Sequence, residues 1–172
     1  MSEQYIADLI KKYERNHGRE GLKDTPARVM RAYDELLTPV DFEFTCFDSN
    51  GYNQMIVDKG IEYYTLCEHH LLPFFGTVKI GYIPHTKIAG LSKLARCVEF
   101  FSRRLNTQEY FTQNIADFLF EALQAKGVGV IVSGRHLCAE MRGVKKRNEM
   151  ITSCLRGQFL TEAGVKEEFI KL

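Results

Sequence analysis

Cys67-Glu68-His69-His70 gathers a thiol and two imidazoles into four consecutive residues. In a tight turn Cys67 and His70, three apart, meet on one face. Zinc favours thiolate sulfur and imidazole nitrogen, so a C-x-x-H pair makes a half-site for it. A second cluster, Arg135-His136-Leu137-Cys138, follows a run of strand character and offers Cys138 as a third ligand. Three protein ligands leave a fourth tetrahedral position for water, which distinguishes catalytic from structural zinc. Zinc brings the pKa of such a water from about 16 to near 7. The remaining imidazoles, His69 and His136, titrate in the range needed to move protons at neutral pH. Spacing alone leaves a plainer reading open. A buried cysteine is usually a small hydrophobe, and the linear order does not bring the two clusters together. Cys97, among Leu94, Val98 and Phe101, reads as core. Cys46 and Cys154 lack a nearby Cys or His and read as structural, while His17 and His85 read as solvated.

A second set of residues has the chemistry of nucleotide recognition. Ser92, Lys93 and Arg96 stand at the start of a predicted helix, where free N–H groups and the helix dipole attract phosphate. Arg142 adds a planar fork suited to the same group. For Lys93 or Arg96 taken singly, a solvated basic face is the better reading. Gln108-Glu109 opens a long predicted helix. A carboxylate there satisfies the dipole, and it also matches guanine, whose N1–H and N2–H are adjacent donors. Lys145-Lys146-Arg147 reads as a solvated loop, and Arg103 and Arg104 as surface groups.

The elements that must position these groups follow from periodicity. Tyr5, Ile6, Leu9, Ile10 and Tyr13 predict a helix over residues 3–16, and Thr25-Pro26 predicts the capped start of a second helix to Leu37. Residues 41–53 read as a loop or edge. Residues 55–66 and 76–83 are rich in β-branched and aromatic types and read as strands. Ser92 is the expected N-cap of a helix to Arg104, followed by a helix over 107–125. Strands are expected over 127–133 and 150–155, with a short helix near 162–170. This order predicts an α+β fold, an antiparallel sheet with packed helices and N-terminal helices. It forms one domain over residues 1–172, with a helical part at 1–40 and a catalytic part at 53–172.

The composition is that of a globular chain: 172 residues, 45% hydrophobic, net charge +1 from 23 basic and 22 acidic groups. No overall excess of charge marks a nucleic-acid binder, and no apolar run is long enough to span a bilayer. The polar N-terminus lacks signal-peptide order, so a cytoplasmic location is expected. In that reducing setting the five cysteines are free thiols or ligands rather than disulfides.

The residues match a family pattern. Gly21-Leu22-Lys23-Asp24-Thr25-Pro26, Cys67-Glu68-His69-His70-Leu71-Leu72-Pro73-Phe74, Gly81-Tyr82-Ile83-Pro84 and Gly90-Leu91-Ser92-Lys93 occur in order. Gln108-Glu109, His136-Leu137-Cys138 and Met141-Arg142-Gly143-Val144 complete the series. From about Glu20 to Phe169 the chain resembles GTP cyclohydrolase I of the zinc-dependent, tunnelling-fold type. The resemblance implies zinc on Cys67, His70 and Cys138, with proton transfer by His69 and His136. It implies that Ser92, Gln108 and Glu109 hold ribose and guanine, and that Lys93, Arg96 and Arg142 hold the triphosphate. The implied reaction opens the imidazole ring of GTP at C8, releases formate and yields 7,8-dihydroneopterin triphosphate, a precursor for folate, other pterins or 7-deazaguanines. Pentamers stacked as a homodecamer, with sites between subunits, are implied as well. Thr107 departs from the pattern, standing where the family usually has an aliphatic residue. Two rivals are a zinc deaminase, which would need a P-C-x-x-C that is absent here, and a zinc-stapled binding module.

Overall fold

The structure is a computed structural model and describes residues 2–172. The chain divides into two compact units, one ending at Thr38 and the other running Pro39–Leu172. In the first, helix α1 (Glu3–Tyr13) and helix α2 (Thr25–Leu37) pack together across a short 3-10 turn at Glu20–Leu22. α1 stops at Tyr13, three residues before the expected end. The N-cap of α2 is Asp24 rather than Thr25. Thr25 is already helical and turns its hydroxyl back to the Gly21 carbonyl at 3.4 Å, with Pro26 in the first turn where no N–H is needed.

The second unit is built on strands β1 (Cys46–Asp48), β2 (Ile56–Cys67), β3 (Pro73–Ile83) and β4 (Lys87–Ala89), followed by helix α3 (Leu91–Ser102). Strand β5 (Leu105–Asn106), helix α4 (Gln108–Leu123), strand β6 (Gly127–His136) and the one-turn helix α5 (Leu137–Glu140) come next. Strand β7 (Met150–Gly157) and helices α6 (Gln158–Thr161) and α7 (Ala163–Lys171) close the chain. The main sheet has the order β5-β2-β3-β6-β7, and β1 pairs with β4 as a separate ribbon. The ladders joining β2, β3, β6 and β7 are antiparallel, as expected. The sheet is nevertheless mixed, because β5 joins β2 in parallel through Leu66–Leu105 and Cys67–Asn106. Two residues are too few for a readable alternation, so this strand was not expected.

One face of the sheet carries the main core. Phe111, Ile115, Leu119 and Leu123 recur every fourth residue of α4 and are fully buried, which lays one helical stripe on the sheet. They belong to one cluster with Tyr63, Phe74, Val78, Val128, Val130 and Val132. A smaller core joins Phe159 of α6, Phe169 of α7 and Ile83. The two phenylalanines occupy room that Gly81 and Gly129 leave: a Cβ on Gly129 would lie 2.5 Å from Phe159 and 2.8 Å from Phe169.

Two helix starts matter for the site. Gly90, not Ser92, is the N-cap residue of α3, so Ser92 sits in the first turn and is exposed. α4 is capped by Thr107, whose hydroxyl accepts from the Tyr110 N–H at 3.2 Å. An aliphatic side chain at this position has no oxygen to offer.

Candidate active site

β2 ends at Cys67 and the chain reverses at once. The Cys67 N–H donates to the Leu72 carbonyl at 2.9 Å, and the Cys67 carbonyl accepts from Leu71 at 2.9 Å and His70 at 3.4 Å. Leu71 takes the left-handed conformation, φ 53°, to close this turn. The turn folds His69 and His70 back over Cys67, with Nδ1 of each lying 3.7 and 3.9 Å from its sulfur. Across the sheet, Phe74 of β3 pairs with His136 of β6. That register carries α5, which follows β6 directly, and its Cys138 to the end of β2. One donor atom each from Cys67, His70 and Cys138 then falls within 4.8 Å of the others.

These donors fit a zinc ion. Zinc–sulfur and zinc–nitrogen bonds of about 2.3 and 2.0 Å give tetrahedral edges of roughly 3.5–3.8 Å, close to the 3.9 Å between Cys67 Sγ and His70 Nδ1. The donor group has three members among the described residues, which leaves a fourth tetrahedral position for a non-protein ligand. Burial and the adjacent Cys67 thiol push the Cys138 thiol up, while the charge of Arg142 pulls it down. A cation held by these residues would favour the thiolate instead.

His136 is held on two sides. Its ring stacks on Phe74 with centroids 4.5 Å apart and planes within 5°, and its Nε2 lies 2.9 Å from Oε1 of Gln108. Burial lowers its pKa, opposed by the negative charges of Glu109 and Glu140, which favours the neutral imidazole. Gln108 is 1% exposed. Its Nε2 faces the Val132 and Met150 carbonyls at 3.1 and 2.9 Å and the Thr152 hydroxyl at 3.2 Å. The reversed amide would set its oxygen against two carbonyl oxygens, so Oε1 must face His136. The Gln108 side chain, expected against ribose and guanine, is thus engaged within the chain.

A cavity of about 160 Å³ lies over these groups and is lined by Cys67, His69, His70, His136, Cys138 and Glu109. Thr107 and Gln108 line it too, and Phe74, Asn106 and Met150 form the rest of the wall. The sequence assigned no site role to Phe74, Asn106 or Met150, although Phe74 closes the Cys67–Phe74 motif. Glu109 also lines an adjoining cavity of about 250 Å³ with Thr112 and Thr152. Ser92 and Lys93 do not join this site. They line a separate open groove of about 1080 Å³ with Phe47 and Gly60. Arg96 is exposed on α3, and Arg142 stands in the exposed segment after α5 together with Lys145, Lys146 and Arg147. Cys97 is fully buried in the core, as expected.

The family described as GTP cyclohydrolase I matches residues 2–172. GTP cyclohydrolase 1 of Aquifex aeolicus (strain VF5) is 51% identical over 156 residues, covering 90% of this chain and 85% of that protein. GTP cyclohydrolase 1 of Wolinella succinogenes is 49% identical, with 88% and 84% covered. GTP cyclohydrolase 1 of Campylobacter lari is 45% identical, with 99% and 93% covered. A match over this whole length, to a chain whose two Cys/His clusters meet at one cavity, establishes that the chain belongs to the GTP cyclohydrolase I family.

Proposed function

We propose that this chain is a zinc-dependent GTP cyclohydrolase, which hydrolyses GTP at guanine C8, releases formate and forms 7,8-dihydroneopterin triphosphate. The observation that carries this reading is the convergence of Cys67, His70 and Cys138 on a cavity that also holds two spare imidazoles and a carboxylate. Zinc held by these three residues supplies a Lewis acid that brings water to a pKa near 7.

The chain's own residues do the rest. The carboxylate of Glu109 accepts N1–H and N2–H of guanine and orients C8. His136 holds its proton on Nε2 against Gln108, which leaves Nδ1 as the proton acceptor. His69, exposed at the cavity, exchanges protons with the base and with solvent. Gln108, which also lines the cavity, supports His136 and contributes to the hold on ribose and guanine. Ser92 holds the ribose, and Lys93, Arg96 and Arg142 hold the triphosphate. Ser92 and Lys93 line a groove that excludes every zinc ligand, so a second copy of the chain completes each site. A homodecamer of two pentamers is the assembly proposed. The free cysteines suit a cytoplasmic enzyme, and no described helix is long and apolar enough to cross a membrane.

The test is GTP turnover by purified, zinc-loaded protein, following formate and the fluorescent pterin formed on oxidation. Stoichiometric formate and pterin are expected. No consumption of GTP by folded, zinc-replete protein would overturn the reading.

A further inference from the structure

The third metal-binding residue is poorly supported by its own element. Cys138 rides on α5, a single turn of four residues, too short to be stable by itself. Beyond it, residues 141–149 are exposed and contain no regular helix or strand. Within the helix, the Met141 N–H to Leu137 carbonyl bond at 3.0 Å is its closing contact.

One ion pair spans this weak segment. Arg135, next to last in β6, forks onto Glu140, the last residue of α5. Its Nε donates to Oε1 at 2.9 Å and its Nη2 to Oε2 at 2.6 Å. The pair therefore brackets His136 and Cys138 between its two members. It is anchored in the sheet, because the guanidinium lies 5.6 Å from the ring centroid of Phe75, the cross-strand partner of Arg135. Phe75 in turn stacks on Tyr64 at 5.7 Å. The Glu140 side chain is 11% exposed, so the carboxylate is packed and not freely solvated. A bidentate fork fixes direction as well as distance.

We propose that Arg135–Glu140 is a positioning clasp that holds α5 against β6, so that the Cys138 sulfur is pre-set for zinc and zinc is retained. The clasp touches neither substrate nor metal and acts through Cys138. This inference rests on the zinc reading of the Cys67, His70 and Cys138 group.

The experiment is competition for zinc between full-length protein and a chromophoric chelator, with far-UV circular dichroism and oligomer size recorded alongside. Glu140→Gln and Arg135→Gln are the variants, each close in shape to the original. Both are expected to bind zinc about 10- to 100-fold more weakly, the range for residues that orient a ligand, with fold and assembly unchanged. Mere electrostatics predicts opposite signs: loss of the anion loosens a divalent cation and loss of the arginine tightens it. An Arg135→Gln protein that binds zinc as tightly as wild type, or more tightly, overturns the clasp. Global unfolding of both variants also overturns it, since the pair would then support the whole fold. Failure of the wild-type protein to bind one zinc per chain is a separate result, and it strikes the zinc reading itself.

Discussion

The side-chain oxygen of Gln108 accepts a hydrogen bond from Nε2 of His136 at 2.9 Å, and this contact fixes which imidazole nitrogen is left as an acceptor. The amide is clamped by two carbonyls and a hydroxyl on its other side, so it cannot turn to suit the opposite tautomer. Gln108→Ala removes the clamp and leaves a buried donor unpaired, at a cost of about 1–3 kcal/mol. The expected result is a kcat reduced about tenfold or more with zinc content unchanged, read by steady-state kinetics and metal analysis. Unaltered kcat would mean that His136 is oriented by Phe74 alone.

Cys138→Ser is expected to lose zinc and activity together, because the hydroxyl is a far poorer zinc ligand than thiolate. Chelation of wild-type protein is expected to stop turnover while circular dichroism stays native. Of the three candidate ligands only Cys67 belongs to the buried core of α4 and the sheet, with Cys138 packed against it, and the rest of that core is apolar side chains, so the fold is not expected to depend on the ion in the way a zinc finger does. Unfolding on chelation would favour a structural metal.

Glu109→Ala is expected to reduce GTP turnover at least 100-fold, with zinc occupancy near wild type. The side chain is exposed at the cavity and caps no buried partner, so stability should change little. Kinetics of the variant on GTP decide this, and unchanged values would remove the guanine-recognition role.

The acid limb of the kcat/KM profile is expected below the ordinary histidine value of 6.5, because burial lowers the pKa of His136. The sign follows from the neutral form being the proton acceptor. A lowered pKa extends the neutral form of His136 to lower pH than an ordinary histidine allows, so activity falls further into acid. Stability linked to this group has the same direction: it is present above the unfolded value and is lost as pH falls toward the folded one. Rates measured from pH 5 to 8 check it, and a limb above 6.5 would assign the transition to another group.

Thr107→Val is expected to destabilise the protein by about 1 kcal/mol, the usual worth of a lost N-cap. Thr107 Oγ1 caps the helix that carries Gln108 and Glu109. Thermal unfolding reads the loss, and an unchanged melting temperature would show that the cap is replaceable by water.

The sequence by itself determined the chemistry available and the elements that carry it. Cys67, His70 and Cys138 are legible as a candidate metal group because zinc's choice of ligands is narrow, and the structure brings their donor atoms together. The helices over 91–102 and 108–123 and the long strands are legible because their apolar periods are sustained. Short elements were not: β5 and α5 contain two and four residues, below the length at which any period shows. Helix starts slipped as well, with Gly90 and Asp24 in the cap positions given to Ser92 and Thr25. A cap is chosen by local backbone geometry, which composition does not encode.

Only the tertiary structure decided which groups meet. The pairing of Phe74 with His136 brings two distant clusters to one cavity, and it depends on strand register, a long-range property. Gln108 is buried and its side chain meets β6, β7 and His136, because α4 docks its first turn against β6 and β7. Packing likewise kept Ser92 and Lys93 in a groove without the metal ligands. Side-chain chemistry is a property of each residue and can be read in a line. Proximity is a property of the whole packed chain, and it exists only once the sheet has closed on its core.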